Sequence, residues 1–356
     1  MKTRAIPLLL AAVLGLGTLT PAAAQAAADR NPVPRPVPGS ADSVKSAKSA
    51  ESADSTAPTS SADPGGPPLE TPVATLAANL TCSADLAGSA RTPVLLTPGT
   101  VESADQAWSW GYQKVLRERG HAVCVIEDLP DSGTTDMQVT AEYVVYALRR
   151  MHEVSGRKVS VIGHSQGGLL NAWALRFWPD LAGKVDDIIG LGAPHSGGLF
   201  GDLACVAGRC PDSAWQFKAS SDFVQALIRE PLAAGPSFTS IGSDTDEVIF
   251  PAPGATRFPG AANLQVQQLC PGRLVGHMGQ LFDAGVHALV TDALDHEGPA
   301  DLDRADRGGC SRYWFEGVDE AKMAAGILIV KDILAAFLDV RWVDKEPALK
   351  EYAAEG

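Results

Sequence analysis

The chain has 356 residues, with 29 Lys and Arg against 42 Asp and Glu, a formal net charge of −13 at neutral pH. That balance excludes a nucleic-acid partner and electrostatic capture on anionic membranes, since both need a basic surface. Six cysteines, with no C-x-x-C pair, fit disulfides in an oxidising compartment rather than a zinc site.

Met1-Lys2-Thr3-Arg4 is a short basic start, Ala5 to Leu19 is apolar, and Pro21 to Ala26 offers small residues for cleavage. This is the pattern of a secretory signal peptide over residues 1–26, cut after Ala24 or Ala26. The apolar stretch is short for a span of about 20 residues, so no stable membrane insertion is expected. Residues 27–72 are rich in Ala, Ser and Pro, with Pro32, Pro34, Pro36 and Pro38 alternating. Such a segment buries too little surface to offset its chain entropy, and reads as a disordered linker or a pro-segment. Asn79-Leu80-Thr81 matches a glycosylation acceptor. Residues 73–356 have a globular composition and are long enough for one large α/β domain.

Within that domain, Pro93 to Thr97 is a short apolar run followed by the loop Pro98-Gly99-Thr100. Ala107 to Arg119 reads as a helix stopped by Gly120, and His121 to Ile126 as a second strand. Met137 to Val154 places Val144, Ala147, Leu148 and Met151 on one helical stripe. Val159 to Ile162 is a β-branched run, and Leu169 to Trp178 is helix-prone. Asp187 to Leu191, Ser237 to Ser243 and Asn263 to Leu269 read as further strands. This alternation predicts a mostly parallel central sheet with helices on both faces. Cys205 and Cys210 are close enough to close a small surface loop. Val318 to Val340 reads as a long apolar helix. Lys322, Lys331 and Asp332 interrupt it, which argues for a core helix or a pocket wall rather than a membrane span.

The stretch that organises the chain is Gly163-His164-Ser165-Gln166-Gly167, between the β-branched run and the following helix. That is the strand–turn–helix setting of a nucleophile elbow: glycines flank a serine on a turn too tight for Cβ atoms, and its hydroxyl is pushed into the open. A serine needs a base, and the base needs an orienting carboxylate. In α/β-hydrolases these follow in the order Ser, Asp or Glu, His. Ser243-Asp244-Thr245-Asp246-Glu247 follows a strand and offers Asp246, with Asp244 as competitor. His277, in a loop between Gly276 and Gly279, is the expected base. His287 sits in an apolar helical stretch and reads as structural, and His296 lies in an acidic, solvated segment. His164 and His195 come too early in the chain order, although His195 can border the site or pack beneath it. Two backbone donors are needed for the oxyanion, one from Gln166 and one from the Pro98-Gly99-Thr100 loop, with the Thr100 hydroxyl as a third. The sequence carries no phosphate loop, metal cluster or dinucleotide fingerprint, so neither metal nor cofactor is expected.

These residues resemble the fungal lipase B family, of Candida antarctica lipase B type, and its bacterial relatives. The resemblance is carried by Val94-Leu95-Leu96-Thr97-Pro98-Gly99-Thr100, Asp136 to Tyr143, Ser165-Gln166-Gly167-Gly168-Leu169, Lys184-Val185-Asp186, Thr245-Asp246-Glu247 and His277. It implies an α/β-hydrolase fold, with Ser165 as nucleophile, Asp246 as acid, His277 as base, and Thr100 and Gln166 as oxyanion donors. It also implies the disulfides Cys82–Cys124 and Cys270–Cys310, which leaves Cys205–Cys210. The chain departs from lipase B at Gly163-His164, where that family has Thr-Trp, at Val101 to Ala104, and around Cys205 to Trp215.

The expectation is a secreted, monomeric serine ester hydrolase of lipase or esterase type. It would cleave lipid or other carboxylic esters through an acyl-enzyme. A polyester hydrolase or an extracellular acyltransferase would use the same triad. A non-catalytic binding protein on a hydrolase scaffold is disfavoured by the intact set of candidate residues.

Overall fold

In the computed structural model, which describes residues 65–327 and 340–354, the apolar runs pair into one seven-stranded sheet. The expected signal peptide, nearly all of the linker and much of the Val318–Val340 helix lie outside the described residues; of that helix, Glu320–Ile327 is described. The strands are β1 (Leu80–Cys82), β2 (Val94–Thr97), β3 (Val123–Ile126), β4 (Val159–His164), β5 (Val185–Leu191), β6 (Ser237–Gly242) and β7 (Ala262–Gln265). Their order is β1-β3-β2-β4-β5-β6-β7. β1 runs antiparallel to β3, and every other pairing is parallel.

Side chains alternate across a strand, and here both faces are covered. Leu95, Val159, Val161 and Ile188 pack with the Met137–Ser155 and Gln166–Phe177 helices. Val94, Leu96, Ile162, Ile189 and Ile241 pack the other way, with the Tyr112–Glu118 and Ala284–Asp295 helices. This is the two-faced, mostly parallel sheet expected from the sequence.

Three local readings differ from the structure. The helix read over Ala107 to Arg119 is two helices, Ala104–Ala107 and Tyr112–Glu118. Trp108, Trp110 and Tyr112 are all buried, and an unbroken helix would point 110 away from 108 and 112. Ser103 and Gln106 cap the first helix reciprocally. The strand read over Asn263 to Leu269 ends at Gln265, where a second reciprocal cap with Gln268 starts the helical turn Val266–Leu269. Residues 65–72, assigned to the linker by composition, lie against the globular unit. The Trp178 indole N–H donates to the Pro67 carbonyl at 2.9 Å, and the Thr71 N–H donates to Glu142 at 2.7 Å.

Disulfides join Cys82 to Cys124, Cys205 to Cys210 and Cys270 to Cys310. Cys82 and Cys124 occupy directly paired positions of β1 and β3.

At the amino-terminal edge of the sheet, Asp187 on β5 accepts hydrogen bonds from Ser160 Oγ on β4 (2.7 Å) and Ser237 Oγ on β6 (2.6 Å). Burial outweighs these bonds and pushes its carboxyl up to about 6. As pH rises from the ordinary aspartate range toward 6, the unfolded chain gives up this proton while the folded chain keeps it. Folded-state stability therefore falls across that window. Asp187→Asn should stabilise the protein at pH 8 by up to roughly 3 kcal/mol, and the gain should vanish near pH 4. Urea unfolding at the two pH values checks this, and a destabilised variant at pH 8 would contradict it.

Candidate active site

The site lies at the carboxyl-terminal edge of the sheet, where α/β folds gather functional loops. Ser165 forms the turn between β4 and the Gln166–Phe177 helix, with φ 51° and ψ −122°. The turn is forced by close approach. A Cβ on Gly163 would lie 2.4 Å from the Gly167 carbonyl carbon, and one on Gly167 would lie 2.3 Å from the Thr97 oxygen. Among the described residues, the other non-glycine residues with positive φ are Val101 (58°), Asp131 (48°) and Ser132 (55°). They join the same neighbourhood, since the Val101 N–H donates to Ser132 O and the Gln166 side-chain amide donates to Gly133 O, each at 2.9 Å. Strain of this kind collects where function holds the backbone.

The loop after β6 exposes Asp244, Thr245 and Glu247 and buries Asp246. The Asp246 Oδ1 atom accepts the N–H groups of Val248 (2.9 Å) and Ile249 (2.7 Å). Its Oδ2 atom accepts His277 Nδ1–H at 2.9 Å and the Gln280 amide at 2.8 Å. Among the described residues, neither His277 Nε2 nor the Ser165 hydroxyl makes a hydrogen bond. The base–nucleophile bond commonly closes only when substrate is present. The Thr100 hydroxyl donates to Gln166 Oε1 at 2.9 Å, so it is tied to that side chain. The backbone N–H groups of Thr100 and Gln166 have no protein partner among the described residues.

No family-level sequence profile matches the chain. Lipase B of Pseudozyma antarctica is 31% identical over 237 residues, spanning 64% of this chain and 69% of that protein. The chain belongs to the lipase B family. The crystal structure of Aspergillus fumigatus lipase B superposes with a TM-score of 0.74 at 26% identity, covering 82% of this chain and 74% of that one. This lipase B family member is thus a carboxylic ester hydrolase with an α/β-hydrolase fold.

Burial works against ionisation at this lipase's site, and charge pairing works for it. For Asp246, burial is outweighed by the charge and hydrogen bond of His277 and by the two backbone N–H groups, which hold the carboxyl below the ordinary range. For His277, burial is outweighed by the Asp246 charge and hydrogen bond, with help from Glu102 and Glu247, and the imidazole is pushed up.

The remaining histidines separate cleanly. His195 is buried edge-on to Phe238 and Phe258, and burial pushes it down to about 3. His287 stacks on Phe315 and is pushed down to about 4 by burial. It lines a cavity of about 580 Å³ that contains none of the candidate site residues. His164, set aside by chain order, lies against the site instead, its ring 4.7 Å from that of His277.

Sequence reasoning missed three neighbours. Gln280 binds Asp246, Glu247 accepts the His277 backbone N–H at 3.0 Å, and Glu102 pairs with His164. Glu102 stands in the one loop near Thr100 that departs from lipase B, and that was its only sequence signal.

Asp246→Asn should lower kcat/KM by roughly a thousand-fold or more, while Asp244→Asn should change it by no more than about two-fold. With His277 as the expected base, activity should fall as pH drops through its raised pKa. Any activity left in Asp246→Asn should lose its acid limb at lower pH than wild type. Parallel pH–rate profiles of the two variants test both statements, and a reversed ranking would reassign the acid.

Proposed function

We propose that this protein is a secreted lipase-type serine esterase in which Ser165, His277 and Asp246 act as nucleophile, base and acid. The observation that carries the reading is the 2.9 Å bond from His277 Nδ1 to a buried Asp246, with the His277 ring 4.7 Å from that of His164, the residue that precedes a serine held at positive φ. In this reading Ser165 Oγ attacks the ester carbonyl carbon as His277 Nε2 takes its proton. The oxyanion is met by the unpartnered N–H groups of Thr100 and Gln166, the second of which opens a helix. The intermediate collapses, the alkoxide leaves with the proton from His277, and the acyl group stays on Ser165. Water then gives its proton to His277 and attacks the acyl carbon. The acid departs, and Ser165 regains its proton. Asp246 remains ionised throughout and keeps the imidazole in the tautomer that leaves Nε2 free to accept.

An apolar acyl chain is the favoured substrate portion. The Leu199–Ala204 helix, which follows the carboxyl end of β5, exposes Leu199 and Leu203; Val206 just beyond it is exposed, as is Leu274, which precedes His277 in the same loop. We assign residues 1–26 to a signal peptide, the residues from 27 up to about 64 to a linker and the rest, from residue 65 on, to the catalytic unit, acting as a monomer. Three disulfides fit an oxidising, extracellular setting.

Ser165→Ala should lose about a thousand-fold or more in hydrolysis of p-nitrophenyl esters while keeping its unfolding temperature. A p-nitrophenyl phosphonate should label the wild-type enzyme once, on the Ser165 peptide. Label elsewhere, or a Ser165→Ala enzyme that turns over normally, would remove the nucleophile assignment. The secreted protein should begin at Gln25 or Ala27, as read by N-terminal sequencing, and a chain still starting at Met1 in the medium would contradict the signal peptide.

A further inference from the structure

The least expected group at the site is a second buried carboxylate–imidazole pair. His164 Nδ1–H donates to Glu102 at 2.8 Å (Oε1) and 3.0 Å (Oε2), and Glu102 Oε2 also accepts the Gly99 N–H at 2.6 Å. On its far side, His164 Nε2–H donates to the backbone carbonyl of His277 at 3.2 Å. A carbonyl only accepts, so this contact requires the proton on Nε2. Both side chains are sealed, with 0% of His164 and 3% of Glu102 exposed.

We propose that Glu102 and His164 are positioning residues that lock the His277 loop to the nucleophile elbow and to the oxyanion loop. The inference rests on the reading of His277 as the base. Three segments far apart in sequence meet at this site: the loop after β2, the end of β4 and the loop after β7. The chain Gly99 N–H, Glu102, His164, His277 C=O crosses all three. A buried acid with one partner removed is expensive, so such a pair persists only where its full set of bonds is made. Glu102 has that set, and although burial works to raise it, the charge and hydrogen bond of His164, then Gly99 and His277, hold it low. Neither partner comes with the lipase B resemblance. His164 stands where that family has Trp, and Glu102 lies in a loop that departs from it.

The pair also acts on His277 through charge. The charged and titratable groups facing His277 are Asp246 and Glu247 from the loop after β6, Glu102 from the loop after β2, and His164 from the end of β4. Removing the Glu102 charge takes away one of the groups that favour protonated His277. That change moves the acid limb of kcat/KM to lower pH.

The test compares wild type, Glu102→Gln, His164→Gln, Ser165→Ala and His277→Ala on a soluble p-nitrophenyl ester across pH, with thermal unfolding of each. The expected result is a kcat about 10- to 100-fold lower in Glu102→Gln and in His164→Gln with KM little changed, as for a misplaced base. The acid limb of Glu102→Gln should move to lower pH. Folded Glu102→Gln enzyme with an unmoved limb and undiminished kcat overturns the inference. Nitrogen-15 histidine spectra of the wild-type enzyme give a reading that needs no variant to fold: His164 Nε2 should be protonated, and a bare Nε2 overturns the inference as well. Activity surviving in Ser165→Ala or His277→Ala overturns the triad reading and this inference with it. Loss in those two with an unmoved limb and undiminished kcat in folded Glu102→Gln overturns the positioning role alone.

Discussion

The Gln166–Phe177 helix comes so near the ends of β2 and β4 that no side chain fits between them. Gly163 and Gly167 answer that constraint directly, since a Cβ on either would sit within 2.4 Å of backbone atoms. Ser165 is the residue left to make the turn, and it does so at φ 51°. Holding a non-glycine residue there costs about 1–3 kcal/mol, a cost that persists only because surrounding packing over-determines the turn. That packing is visible on both sides of the sheet, where the buried residues of β4 divide between the two cores. The same approach brings the first free N–H of the helix beside the serine. The strain and the anion-binding capacity therefore have one origin.

Buried acids at the two ends of this sheet meet opposite fates, and the donors decide which. Asp187, at the amino edge, is offered two serine hydroxyls, and burial prevails. Asp246, at the carboxyl edge, is offered two backbone N–H groups, an amide and an imidazole, and stays ionised. Glu102 follows the second pattern with a different imidazole. Neutral hydroxyls stabilise a carboxylate weakly, whereas N–H groups and a protonatable ring stabilise it strongly. One fold thus raises the pKa of its structural acid and lowers those of its site acids.

Legibility in the sequence tracked how local each determinant was. The elbow was readable because its glycines and serine are contiguous and the flanking strand and helix announce themselves. The preference for Asp246 over Asp244 was partly readable, because only the acid beside Val248 and Ile249 can turn inward while its neighbours stay in water. The break at Trp108 to Gly111 was missed even though Ser103 and Gln106 spell a reciprocal cap, because the apolar residues beyond the break look continuous on paper. The turn at Gln265 failed for the same reason. Glu102 could not have been found by pattern at all. Its partner His164 is 62 residues away, and His164 in turn touches a carbonyl 113 residues further on. The start of the globular unit was likewise hidden, since Pro67 is held to it by a bond from Trp178, 111 residues distant.

The bond between Cys82 and Cys124 sets where tension on the chain comes to rest. β1 is a three-residue edge strand, and hydrogen bonds alone would let it peel from β3 under a modest pull. Because its last residue is covalently joined to β3, force applied ahead of Cys82 can strip the residues before it, and of β1 only Leu80 and Thr81, before it meets a covalent stop. From there the load enters β3, which is flanked by β2 in the interior of the sheet. A tether at the amino-terminal end, of whatever length, would then be mechanically insulated from the loops at the far edge that hold the serine and its partners.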